Sequence, residues 1–357
     1  MDSHLLCYNN LNYKYFTFNC SISTEEEPPM DTGTHIVMGV ALSGLATLDP
    51  VVANDPTLFH AVFAGAIIGS HAPDFDTVLK LRNNATYIRN HRGPTHSLPA
   101  VVMWGVLISG IIHSIVPEVN YLHLWAWIGT AVALHVFVDI FNAYGTQALK
   151  PFSNRWIALG FINTFDPYIF LLHIVGIVAW VLGANPGYTW LIIYAVVFLY
   201  YIKRYLDKRE IVREIKEFLP DTERVATSPT TKQNSWRVAI TGKNRFYVGT
   251  VDNGHIQIID EFERIQVPDT ELMRVAITDK NISAFLSFSP VYRFEVNDYD
   301  DFTEVRFIDL RYRSKGYYPF VAVVHLDARL DIMTSYTGWI FSEHKLQNKL
   351  NPSNTTI

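Results

Sequence analysis

The run HRGPTHS at residues 91–97 sets His91 and His96 around a Gly-Pro turn, directly before a long apolar stretch. Four further motifs carry side chains of the same kind. THIVMGV opens with His35, GSHAPDFD holds His71, Asp74 and Asp76, HVFVD holds His135 and Asp139, and NTFDPY holds Asp166. Neutral imidazole nitrogen and carboxylate oxygen are donors for Zn²⁺, Mn²⁺ or Fe²⁺. Both cysteines, Cys7 and Cys20, lie in the first 20 residues, so a site built from these motifs has only nitrogen and oxygen ligands. An ion in such a site lowers the pKa of bound water toward neutrality and grips an anionic oxygen, such as phosphate, for in-line attack. The HExxH pattern of zinc proteases is absent, which disfavours an intramembrane metalloprotease.

These residues need elements to position them. With 49% hydrophobic and 18% charged residues the chain is too apolar for an ordinary soluble enzyme, and most of the excess precedes residue 203. Residues 97–117 run 21 positions without a formal charge, about 31 Å of helix, which matches a bilayer core. Similar runs at 121–141, 168–184 and 188–202 bring the expected spans to about four. Two shorter Gly- and Ala-rich runs, around HIVMGVALSGLAT and FHAVFAGAIIGS, read as a tightly packed helical hairpin ahead of them. Residues 1–29 lack the pattern of a signal peptide and read as a disordered tail or an upstream start artefact. The expected fold is thus an α-helical polytopic membrane domain at 30–205, an amphipathic helix and linker at 206–235, a smaller soluble β-rich domain at 236–347 and a tail at 348–357. In the β-rich part, WRVAIT, RFYVGTV, HIQIID, ISAFLSF and the runs after them are strand-like, and NDYDDFTE at 297–304 reads as a solvated turn rather than a Ca²⁺ loop.

Loop charges set an orientation. Lys80, Arg82, Arg89 and Arg92 precede the first long span, Lys150 and Arg155 lie between the second and third, and Lys203 and Arg204 follow the fourth. The loops at 117–120 and 184–187 have neither Lys nor Arg. The positive-inside rule then gives a multi-pass protein of the cytoplasmic membrane with both termini in the cytoplasm. A net charge of −5 offers no basic surface for a nucleic-acid backbone, so no direct nucleic-acid partner is expected.

In that topology His35, His71, Asp74, Asp76, His91, His96, His135, Asp139 and Asp166 gather at the cytosolic face. His135 and Asp139, spaced i, i+4, share one helix face. A charged side chain at membrane depth costs about 2.5–3.5 kcal/mol, and a bound cation would offset several at once. The motifs THIVMGV, GSHAPDFD, HRGPTHS, HVFVDIFNAYGT and FDP resemble those of the YdjM-type family of inner-membrane metal-dependent hydrolases, over roughly residues 30–205. That family is regarded as distantly similar to zinc phospholipase C and P1 nuclease, helical enzymes that bind zinc through His and Asp, including an HxxxD pair. The resemblance makes His135 and Asp139 that pair, adds His35, Asp74, His91 and His96 as ligands and extends to Asp76 and Asp166, while His71 joins the ligand set by its place at the same face. The later His-xxx-Glu/Asp pair of the soluble enzymes has no clear counterpart, so one or two ions, zinc first and Mn or Fe next, are expected rather than three.

Asp76 and Arg92 are the candidate catalytic groups, although Asp76 also suits a helix cap and Arg92 a solvated topology charge. Asn142, Tyr144 and Thr146 are candidates for supporting hydrogen bonds, and His60, His113, His123 and His173 read as interfacial anchors. The leading expectation is a membrane-bound hydrolase of a phosphoester or phosphodiester, lipid-linked ones included, acting at the cytosolic face. Its rival is a non-catalytic membrane protein with a structural or transport metal site and a β-domain that binds a cytosolic protein partner.

Overall fold

A computed structural model describes residues 32–81 and 84–350; the segment 1–29 and the end of the 348–357 tail lie outside the described residues. The helical region comprises α1 (Thr32–Leu45), α2 (Pro50–Ala53), α3 (Pro56–Gly69), α4 (Asn84–Asn90), α5 (Leu98–Ile115), α6 (Tyr121–Asp139), α7 (Pro167–Val181) and α8 (Pro186–Phe218), with 3₁₀ turns at Ala72–Leu81 and Pro94–His96. Its boundaries are written in capping residues. Asp49, Asp55, Ser97, Asn120, Asp166 and Asn185 each accept a backbone N–H at the start of α2, α3, α5, α6, α7 and α8, and in all of these but α6 a proline occupies the first turn.

Small residues let these helices touch. A Cβ on Gly39 of α1 would lie 2.7 Å from the Ile67 Cα of α3, and one on Gly65 of α3 would strike Ile128 of α6. Trp190 of α8 fills the space left by Gly44 of α1 and Gly176 of α7. The outer faces are apolar and uncovered, with Val102, Met103, Val106 and Ile111 on α5, Leu171 and Val175 on α7, and Ile192, Phe198 and Leu199 on α8. Three helices, α5, α6 and α8, are long and apolar enough to cross a membrane, while α1 and α7 are shorter apolar helices.

The run at 188–202 and the amphipathic helix after it form one helix of 33 residues, because no Gly or Pro interrupts the chain between Gly187 and Pro220. The stretch expected as a linker also carries structure. Residues 222–229 form β1 (Thr222–Pro229), which pairs antiparallel with β2 (Ser235–Gly242), and β3 (Arg245–Asp252) and β4 (His255–Glu263) complete a first sheet in the order 1-2-3-4. Two helices follow, α9 (Glu271–Thr278) and α10 (Lys280–Phe288). ISAFLSF is therefore helix rather than strand. Asp279 caps it by accepting from the N–H groups of Asn281 and Ile282, and Ile282 and Phe285, three apart, turn one face onto Phe307 and Phe320. A second antiparallel sheet, order 5-6-7-8, comprises β5 (Tyr292–Asp298), β6 (Thr303–Asp309), β7 (Phe320–Leu326) and β8 (Ile332–Trp339), and α11 (Glu343–Leu350) covers one side of it. The acidic run 297–304 is the β5–β6 turn, in which Asp298 accepts from Thr303.

The first sheet lies between the other two layers. Trp236, Val238 and Ile240 face Ile211 and Ile215 of α8 together with Phe161 and Ile162, whereas Ala226, Ala239 and Val248 face Val291 and Leu310. The β-domain is thus joined to the helical region by a continuous apolar core. Gly160 makes the closest link: its φ is +59°, a Cβ there would lie 2.4 Å from the Thr227 carbonyl oxygen, and the Thr227 hydroxyl donates to the Gly160 carbonyl at 2.6 Å.

Candidate metal centre

The C-terminal end of α6 presents His135 and Asp139 on one face, and the two 3₁₀ turns bring Asp74 and His96 against them. All four are buried, and their ligand atoms lie within 4.8 Å of one another. His96 Nε2 is 3.3 Å from His135 Nε2, 3.3 Å from Asp139 Oδ2 and 3.5 Å from Asp74 Oδ1. His135 Nε2 is 3.6 Å from both Asp139 Oδ2 and Asp74 Oδ1. A tetrahedral ion with ligands at about 2.0–2.1 Å has ligand–ligand edges of about 3.3–3.4 Å, so these separations have the size of a zinc coordination shell.

The proton positions agree. His135 Nδ1 stands 2.7 Å from the Ser70 carbonyl oxygen and must donate to it, which leaves Nε2 as a lone pair in the neutral ring. Thr95 does the same for His96. Its hydroxyl donates to Asp76 Oδ2 at 2.6 Å and accepts from His96 Nδ1 at 3.1 Å, so the second Nε2 also faces inward unprotonated in the neutral ring. Two carboxylate oxygens complete the set, and Asp74 Oδ1 and Asp139 Oδ2 are buried without a hydrogen-bond donor. Four acceptors aimed at one another are costly unless a cation or protons sit among them. The formal charges of Asp74, Asp76, Asp139 and Arg92 sum to −2 with neutral histidines, which one divalent ion would cancel.

The other candidate residues separate by position. Asp76 lies behind the ligands: besides Thr95 it accepts from His91 Nδ1 at 2.8 Å and from the Arg92 N–H at 3.2 Å. Its two oxygens are thus engaged in orienting His91, Arg92 and Thr95. With Asp74 and His91 it also forms a second group with metal-ligand spacing. His35 of α1 stacks on His135, with ring centroids 3.9 Å apart, and its Nε2 is 3.9 Å from Asp139 Oδ1; His71 meets it edge-on at 6.3 Å. Neither joins the four-ligand group, and the Nδ1 of each is without a partner. Asp166 is not brought to the ligands either. It is the N-cap of α7, its Oδ1 accepting from Tyr168 and Ile169 N–H and its Oδ2 from the Tyr200 hydroxyl at 2.9 Å.

Arg92 is buried, with Nη2 3.2 Å from Asp139 Oδ1 and Nη1 unpartnered. Its φ of +56° lies in the left-handed region, uncommon for a residue with a side chain, and the position is held from three sides. Asp76 takes its N–H, while Gln147 N–H and the Thr146 hydroxyl both donate to its carbonyl at 2.8 Å. Asn142 donates to Asp139 Oδ1 at 3.2 Å and accepts from the N–H groups of Tyr144 and Gly145. Burial alone would lower the basicity of Arg92, but Asp139 and Asp74 outweigh it and hold the guanidinium charged. Beside the cluster is a small hollow of about 40 Å³, bordered by His35, Asp139, Asn142 and Asp166 together with Met38, Val138, Ile162 and Ile169.

Of the supposed anchors, His173 is buried and bonds the Ile169 carbonyl within α7, and His123 pairs with Asp49 at 2.6 Å. Sequence reasoning missed the Ser70 carbonyl and the role of Thr95. The adjacency of Thr95 to His96 was the one available signal for the latter.

Residues 30–211 match the model of the YdjM inner membrane protein family. Residues 220–262 match a YfhP middle domain and residues 271–350 a YfhP C-terminal alpha/beta plait domain. The chain is 58% identical over 322 residues to an uncharacterized protein, YfhP, of Bacillus subtilis (strain 168), covering 90% of this chain and 98% of that one. No solved structure matches it.

Proposed function

The chain belongs to the YdjM inner membrane protein family, and from that premise we propose that it is a membrane-bound, metal-dependent hydrolase of phosphoesters or phosphodiesters. One observation carries the proposal: Asp74, His96, His135 and Asp139 hold four buried donors at tetrahedral edge lengths, with two carboxylate oxygens that nothing else satisfies. In this reading a single zinc is bound by those four, Mn²⁺ or Fe²⁺ being alternatives, and His91 with Asp76 flanks a second position.

With those four ligands in place, the activation of water and polarisation of a phosphoryl oxygen that such an ion would supply need it to take a fifth ligand. The chain's own groups do the rest. Arg92 keeps Nη1 free for a substrate phosphate oxygen while Nη2 stays on Asp139. His35, buried beside Asp139, is placed to take or return a proton at Nε2. The small hollow past His35 and Asp139 has room for little beyond the reacting end of a substrate, and the apolar Met38, Val138, Ile162 and Ile169 beside it favour a lipid-linked ester over a free sugar phosphate. The substrate would reach it at the cytosolic face, with both termini in the cytoplasm and the helices in multi-pass arrangement.

The test is hydrolysis of bis-p-nitrophenyl phosphate and of phosphatidic acid by full-length protein loaded with zinc. Turnover in wild type that disappears in Asp139→Asn supports the assignment. Equal turnover in both removes it. Stoichiometric metal with no turnover on any phosphoester favours the non-catalytic reading, to which the deep burial of all four ligands also lends weight.

A further inference from the structure

Where the loop after α6, the first sheet and the second sheet meet lies a partly open hollow of about 70 Å³. Four cationic side chains line it, Lys208 of α8, Arg224 of β1, Arg237 of β2 and Arg311 after β6, and among the described residues no carboxylate does. Arg311 is already compensated. Asp309 holds its Nε and Nη2, and it lies between the rings of Phe288 and Tyr312. Lys208 donates to the neutral Leu159 carbonyl, and Arg224 and Arg237 are exposed at the rim of the hollow.

The strand register puts Arg224 and Arg237 on one face of the first sheet, about 13 Å apart along the strands. Arg224, Ala226 and Ser228 alternate onto one face of β1, and Arg237 stands directly across from Ser228 on β2. The pleat therefore sends both guanidiniums and the Ser228 hydroxyl to the same side. Both arginines are exposed, so solvent screens their mutual repulsion, and a multivalent anion with several acceptor oxygens would turn that repulsion into attraction. Lys208 follows Lys203, where the apolar part of α8 gives way to charge, by about 7.5 Å of helix, which is headgroup depth for a helix crossing a bilayer.

We propose that this junction binds a phosphate group through Arg224, Arg237 and Lys208, carried either by an anionic lipid headgroup or by a free phosphate compound. A ligand there bridges the loop that follows Asp139 to both sheets, since Ala143, Gly160, Arg224 and Arg311 all border the same space. The proposal is independent of the metal-site reading.

Full-length protein in detergent is titrated with inorganic phosphate by calorimetry and, separately, with phosphatidylglycerol or phosphatidylcholine by native mass spectrometry. The Arg224→Gln/Arg237→Gln double variant is run beside Arg329→Gln, an exposed arginine outside the cavity, and all three are checked for unchanged metal content and unfolding temperature. Phosphate binding at least tenfold weaker in the double variant alone assigns a free phosphate compound. Phosphatidylglycerol adducts lost only in the double variant, without phosphate binding, assign the lipid headgroup. Binding of both probes that is equal in all three proteins, or binding of neither to wild type, overturns the proposal.

Discussion

Replacing Thr95 with valine removes one hydroxyl at nearly constant volume and should weaken metal binding without removing a ligand. In the native site that hydroxyl donates 2.6 Å to Asp76 and sits 3.1 Å from His96 Nδ1, so it both fixes the ring and selects its inward lone pair. Losing a hydrogen bond behind a metal ligand costs about 10–100-fold in affinity, or about 1.4–2.7 kcal/mol. Asp76 keeps His91 and the Arg92 N–H in the variant, so the lower end, about tenfold, is expected. Asp76→Asn disturbs all three contacts and belongs near the upper end. The assay is competition for Zn²⁺ against a chromogenic chelator in detergent at fixed pH, with thermal unfolding of the metal-free proteins alongside. Metal-free Thr95→Val should lose about 1 kcal/mol of stability from the unpaired imidazole N–H. Wild-type zinc affinity in both folded variants would refute the ligand-orienting role of the Asp76–Thr95–His96 chain.

Asp166→Ala should cost about 1 kcal/mol through loss of the α7 cap and leave metal content unchanged, as elemental analysis beside thermal unfolding would reveal. Arg92→Gln should retain metal but reduce phosphodiester turnover about a hundredfold, since it removes a positioned cation; steady-state kinetics on the loaded protein reads this directly. Gly160→Ala meets both a positive φ and the Thr227 carbonyl, and should loosen the β-domain; faster tryptic cleavage between 203 and 237 with a lower unfolding temperature is the expected result. Burial disfavours the charge on Glu304, but hydrogen bonds from His325 and Arg306 outweigh it and hold the carboxyl below its ordinary range. Its contribution to stability is therefore full above the ordinary value of 4.5 and is lost as pH falls through the depressed native value, so the unfolding temperature of wild type should drop more steeply than that of Glu304→Gln between about pH 5 and 3.

The legibility of the site followed the range of the interactions that build it. His135 and Asp139 could be paired from sequence because four residues along a helix is a fixed geometry. Asp74 and His96 could be grouped with them because apolar runs fixed which end of the helices each occupies. Asp166 sits at the same end and has equally suggestive chemistry, but capping α7 and accepting from Tyr200 use both its oxygens, and only the packing of α7 on α8 reveals that. Arg92 owes its placement to a left-handed backbone held by residues 50 and more positions away, which no local pattern announces. In the β-domain the same contrast appears. Polar TERVATSP reads as linker by composition, yet its pairing with β2 makes it a strand, and ISAFLSF has strand-like residues but a helical face once Asp279 caps it.

Metal content of the detergent-purified full chain, wild type beside His96→Ala, His135→Ala and Asp166→Ala, tests the metal centre most directly. Near-stoichiometric Zn, Mn or Fe in wild type and Asp166→Ala, with loss in both histidine variants, is the predicted result. Correctly folded wild type that stays metal-free after reconstitution, or metal retained equally in all four proteins, would contradict it.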